Sequence, residues 1–151
     1  MKRFRFQLQS VATLRALREF RARESLALAI RVCEQAELAL AEARGRRELL
    51  EELIRSGRAF TLRAAEHVTF LAALRQAAGD EAAAAQAVAQ AHAVRDTRLN
   101  EYYEAARNVK VLANLESRAR LAHRIAVDRA EQAALDERAS VAAARAHRYL
   151  S

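Results

Sequence analysis

Four histidines, one cysteine and nineteen acidic side chains are the groups with which this 151-residue chain could do chemistry. The histidines are His67, His92, His123 and His147. A di-iron helical bundle sets a Glu three residues before each ligating His. Those positions hold Ala64, Ala89, Arg120 and Ala144, so that metal centre is excluded. His92 and Asp96 fall on one helix face and read as a surface pair, not as a ligand set. Cys33 stands alone, which rules out an internal disulfide framework and a Cys-based zinc site. No glycine loop offers backbone amides to a phosphate, and no nucleophile has a base partner. Neighbouring carboxylates such as Glu51 and Glu52 sit on helix with no pocket around them. The expectation is a protein that is not an enzyme and carries no metal or cofactor.

The elements that hold these residues are helices. Leu26, Cys33, Leu40 and Ile54 recur at multiples of seven, with Arg47 as the polar member of the row. Ala29, Ala36, Ala43 and Leu50 follow three residues after the members from 26 to 47. Such a 3-4 alternation gathers small and apolar side chains on one stripe, the seam of a coiled coil. There is no Pro, and the three glycines are Gly45, Gly57 and Gly79. The pattern predicts an all-α fold, a single domain built as a long antiparallel two-helix coiled-coil hairpin with a short connecting helix. Helix A is predicted over about residues 8–56, with Ser10 as a candidate N-cap and Gly57 past its end. Gly45 inside it marks a local change of seam or a close helix approach. A connector helix is predicted over about 61–78, capped by Thr61 and stopped by Gly79. Helix C is predicted over about 80–148, with Asp80 as its cap. Its stripe runs Ala84, Val88, Ala91, Tyr102, Ala105, Val109, Leu112, Ala119, Ala126, Ala130 and Ala133, broken by Arg95, Arg98, Glu116 and His123. The hairpin reading pairs Leu26 with residues near Ala126, and leaves part of helix C unpaired or covered by the connector.

The formal net charge is +7, and Met1 to Arg23 holds seven basic residues against Glu19 alone. A basic balance suits nucleic acid, an anionic membrane surface or an acidic protein. Many charges are expected to pair along the helices, as Arg44–Glu48, Arg47–Glu51, Glu51–Arg55 and Glu116–Arg120. No apolar run is long enough to span a membrane, and the start lacks the apolar region of a signal peptide. A cytoplasmic location is expected.

Two end motifs go beyond a generic coiled coil. The start reads Phe4-Arg5-Phe6-x-Leu8-x-x-Val11-x-x-Leu14-Arg15, an aromatic-flanked entry into a heptad helix. Late in helix C comes the run from Asp128 to Ala139, with Gln132, Leu135, Asp136 and Glu137 in it. With the two-helix layout, these motifs resemble the FliJ family of flagellar export proteins over the whole chain. The resemblance implies a stalk-like protein of flagellar biogenesis and motility. Such a protein inserts its paired termini into the export ATPase ring and promotes ring assembly. It also contacts the cytoplasmic domain of the export gate at the membrane's cytoplasmic face, and escort of export chaperones is a further role in the family. Carried over by motif, the ring-facing residues are Phe4, Phe6, Leu8, Val11, Leu14, Gln132, Leu135, Asp136, Glu137 and Ala139. The gate-facing residues are Leu50, Phe70, Leu74 and Ala77. On the residues alone, Phe70 and Leu74 suit a connector core as well as a docking surface. Phe4 and Phe6 likewise suit a hydrophobic clasp as well as partner anchors.

Other classes share parts of this pattern. The stalk of a virulence type III secretion system has the same architecture, although the Phe-x-Phe start leans toward the flagellar kind. A nucleic-acid-associated coiled coil is supported by Arg content alone and lacks a recognition motif. A basic adaptor that dimerises through a second stripe, such as Leu28, Val32 and Ala39, is the third.

Overall fold

A computed structural model describes residues 3–56 and 64–150. Two helices make up the fold: α1, Gln9–Arg55, and α2, Ala64–Leu150, packed against each other as an antiparallel hairpin. Alanine-rich sequence without proline explains their length, because Ala has the highest helix propensity and nothing removes a backbone donor.

The start of α1 lies one residue before the expected cap. Ala12 N donates to Leu8 O at 2.9 Å and Gln9 N to Phe6 O at 3.3 Å, so Ser10 is already inside the first turn. Gly57 and Thr61, the expected stop and cap, lie outside the described residues. The separate connector helix is not there over the part that is described. Residues 64–78 are the first turns of α2, which passes through Gly79 and Asp80 unbroken. One glycine costs a helix about 1 kcal/mol. The run Ala77-Ala78 before it and Ala82 to Ala85 after it offsets that cost. Asp80 does not cap; its Oδ1 accepts from Gln76 Nε2 at 2.9 Å, an i,i+4 contact inside a helix. Gly45 is no site of close approach either, since a Cβ there would meet nothing within 4 Å.

The chain sorts into two compact units, residues 19–104 and residues 1–18 with 105–151. In the first, the buried side chains are all small: Ala29, Cys33, Ala43, Ala77 and Ala91. Leu26, Ala36, Leu40, Leu50 and Ile54 are half-buried beside them, so the heptad stripe read from the sequence is the packed face. Opposite lie Leu74, Ala77, Glu81, Ala84, Val88, Ala91 and Arg95, also at 3-4 spacing and shielded.

Polar contacts fix how these two stripes are aligned. Glu37 Oε1 lies 2.7 Å from His92 Nε2. Arg44 Nε lies 3.2 Å from Glu81 Oε1, and Arg47 Nη1 lies 2.9 Å from Glu81 Oε2. Arg47 Nε is also 3.1 Å from Glu51 Oε1. The Arg47 contacts are ion pairs rather than aligned hydrogen bonds, leaving Arg47 Nε and Glu81 Oε2 buried without one. The Arg23 guanidinium stands 5.9 Å from the Tyr102 ring centre, and its hydrogen bond to Glu19 raises its pKa above the ordinary value. Arg23 is one turn before Leu26, so this register sets Leu26 near the turn of Tyr102, where residues near Ala126 were expected. Of the expected local pairs, Arg47–Glu51 and Glu116–Arg120 form. Arg44 instead reaches across to Glu81, and Arg55 pairs with Glu52. His92 likewise leaves Asp96 to Arg95 and faces Glu37.

In the second unit, the beginning of α1 covers α2 only as far as Val127. Ala105, Val109, Leu112, Glu116, Ala119 and His123 are half-buried, whereas every residue from Asp128 to Arg145 is exposed. The expected seam positions Ala126, Ala130 and Ala133 are therefore not seam. The physical reason is the register: Phe4, near the start of the described residues, already meets α2 at Arg120 and His123. From Asp128 to Leu150 α2 continues for roughly 35 Å at 1.5 Å per residue.

Candidate functional site

Three surfaces hold the site residues expected from the sequence. The first is the N-terminal segment. Phe4 is half-buried against α2, its ring 5.5 Å from the His123 ring and 5.2 Å from the Arg120 guanidinium carbon. Glu116 holds that guanidinium through Oε1, at 2.7 Å from Nη2 and 3.1 Å from Nε. A cation over the face of an aromatic ring is attracted by the ring's quadrupole. Phe4 is thus a clasp on α2. Phe6 is half-buried as well, but Leu8, Val11 and Leu14 point to solvent. The seam positions of this first stretch of α1 are Ala12 and Arg15, which leaves the larger apolar residues outside.

The second surface is the uncovered end of α2. Gln132, Leu135, Asp136, Glu137 and Ala139 are all exposed, Leu135 by 57%. Gln132 Nε2 donates to Asp136 Oδ1 at 3.1 Å. Phe4 contacts α2 at Arg120 and His123, and Leu135 lies twelve residues further on, about 18 Å along the helix. The two end motifs therefore share one unit without touching.

The third surface lies where α1 stops and α2 starts. Leu50, Phe70 and Leu74 are half-buried and Ala77 is buried, so these four belong to the seam at that end. The side chains beside them are the exposed ones: Leu49 and Val68, both 69% exposed, with Leu53 and Leu71. Sequence reasoning passed over them because it followed the stripe. The signal was present in the pair Leu49-Leu50: adjacent helix residues diverge by about 100°, so when one enters the seam the other leaves it.

Among the described residues there is no group of three or more His, Cys, Asp or Glu able to hold a metal, and no helix is long and apolar enough to cross a membrane.

The family model for the flagellar FliJ protein matches residues 4–148. The chain belongs to the FliJ family. That membership gives it a role related to flagellar protein export and an association with the export apparatus, in a family of stalk proteins rather than enzymes. No curated protein and no solved structure matches the chain significantly. The match takes in the Phe-x-Phe start, both helices and the uncovered end of α2.

Proposed function

We propose that this chain is the stalk of the flagellar export ATPase: a non-catalytic cytoplasmic protein that inserts into the ATPase ring, promotes its assembly and links it to the export gate. The observation that supports this best is the end of α2, about five turns of helix from Asp128 to Arg145 that are exposed throughout among the described residues. A helix exposed on every side has no tertiary packing to sustain it, and most helical stability in proteins comes from such packing. A ring lumen would supply it. In this reading Leu8, Val11 and Leu14 meet the ring on one level, and Gln132, Leu135, Asp136, Glu137 and Ala139 on another. Phe4 and Phe6 hold the N-terminal segment on α2 between them. The gate contact falls where α1 stops and α2 starts, where Leu50, Phe70, Leu74 and Ala77 back the exposed Leu49, Leu53, Val68 and Leu71. Escort of export chaperones would use the same exposed helix faces at the cytoplasmic side of the export apparatus.

The test is ring assembly. Leu14→Ala with Leu135→Ala removes two exposed side chains, so helical content and melting point should stay as they are. Hexamer formation by the export ATPase should weaken by at least about tenfold, the equivalent of about 1.4 kcal/mol. Unchanged assembly with the folded double variant would remove the ring contact from these residues, and a wild-type chain without effect on the ring would remove the stalk reading.

A further inference from the structure

Within residues 19–104, one flank of the paired helices is free of charge for about four turns. Along α1 the positions just before the packed row are Ser25, Val32, Ala39 and Arg46; along α2 they are Asp80, Ala87, Val94 and Glu101. In an antiparallel pair such positions lie on the same side of the seam. Arg47 meets Glu81, so Arg46 stands level with Asp80. The heptads that follow set Ala39 level with Ala87 and Val32 level with Val94. Beside them on the helix surfaces lie Leu28 and Gln35 of α1, and Ala83, Gln90 and Thr97 of α2. The opposite flank is closed by charge, through Glu37 with His92 and Arg44 with Glu81.

Charged residues make up 30% of the chain, so three would be expected among ten such positions. The five on α1 from Ser25 to Ala39 and the five on α2 from Ala83 to Thr97 hold none. All but Ser25 are exposed, Leu28 by 61%, Val32 by 54% and Val94 by 52%. Charge returns at both ends of the flank: Glu42 and Arg46 with Asp80 at one, Arg21 with Glu101 and Glu104 at the other. Glu101 is held by Arg98, and Asp80 accepts from Gln76. Arg21, Glu42, Arg46 and Glu104 make no ion pair or side-chain hydrogen bond among the described residues.

We propose that two copies of the chain pair through this flank, side by side with like ends together, so that α1 of each lies on α2 of the other. Charge complementarity selects that arrangement. A two-fold axis along the hairpin sets Arg46 against Asp80 of the second copy and Arg21 against its Glu104, each twice, with Val32 over Val94 between them. The head-to-tail alternative would set Arg46 against Arg21 and Asp80 against Glu104, like charges at both ends, which is unfavourable. The area is also sufficient. Arg21 to Arg46 spans about 38 Å of helix, and two packed helices are about 19 Å wide, which gives about 700 Å² per copy. A stable interface buries about 800 Å² on each side. Alanine at 39, 83 and 87 lets the four helices approach closely. The proposal is independent of the ring contact, since none of these residues belongs to the sets assigned to ring or gate.

The experiment is sedimentation equilibrium of the full chain across a range of concentrations, where dimer should appear as concentration rises. Val32→Glu places a charge in the centre of the face and should raise the dimer Kd at least about tenfold. Leu38→Glu is the same kind of change at a side chain 63% exposed and about 120° around the helix from Val32, and should leave the Kd as it is. Arg46→Glu and Asp80→Arg should each weaken the dimer. An equal mixture of those two variants should restore it, because each altered residue then faces an opposite charge in the other copy. Circular dichroism on the same samples establishes folding; should Val32→Glu not fold, Val94→Glu takes its place and must also weaken pairing. Monomer mass at every concentration would overturn the proposal and leave the flank to a different protein. So would equal losses for Val32→Glu and Leu38→Glu, or a mixture that pairs no more tightly than either variant alone.

Discussion

Gly79→Ala separates a continuous α2 from a pair of helices joined at Gly79-Asp80, because the two arrangements give opposite signs. In the structure Gly79 is in the helix interior, has no left-handed backbone angle, and a Cβ built on it meets nothing within 4 Å. The substitution then adds no clash and removes the conformational freedom that glycine has in the unfolded chain. The expected gain is about 1 kcal/mol, the Gly-to-Ala difference in a helix interior. For a protein of this size that is a rise in Tm of about 2–4 °C. If Gly79 instead ended a helix in the left-handed conformation, alanine would be strained and Tm would fall by a similar amount. Asp80→Ala supplies the second arm. As an N-cap, Asp80 would be worth about 0.5–2 kcal/mol. As the i+4 partner of Gln76 it is worth only about 0.2–0.5 kcal/mol. Thermal and urea melts followed by circular dichroism at 222 nm read both variants. A lower Tm for Gly79→Ala with a large loss for Asp80→Ala would refute the unbroken helix.

Two further outcomes follow from the seam. Ala43 is 2% exposed, and Ala43→Leu would force extra methyl groups into the contact of two helices, so urea melts should show a loss of about 1–3 kcal/mol. Spin labels on residues 26 and 100 should be close within one chain in pulsed dipolar measurements; a long distance would mean a shifted hairpin register.

The heptad in α1 was legible from residue types alone. Leu26 to Ile54 and Ala29 to Leu50 are the shielded positions, because periodicity fixes which face of a helix is apolar whatever it packs against. The helical class was legible for the same local reason, as Ala content and the lack of Pro act within a few residues. So was family membership, carried by motifs that are local runs of sequence. The register was not. A heptad stripe looks the same after a shift by seven, so it cannot say which residue of α2 faces Leu26. That was decided by contacts distant in sequence, Glu37 with His92 and both Arg44 and Arg47 with Glu81. The same shift decided where pairing ends. Ala126, Ala130 and Ala133 continue the small-residue stripe yet lie exposed, past the turn of α2 that Phe4 meets. Phe4 was visible as an unusual aromatic, but its docking between Arg120 and His123 needed the fold to bring the N-terminus back to α2. Local chemistry determined the helices and their faces; only the pairing of distant residues determined their alignment, and with it the stretch of helix left exposed.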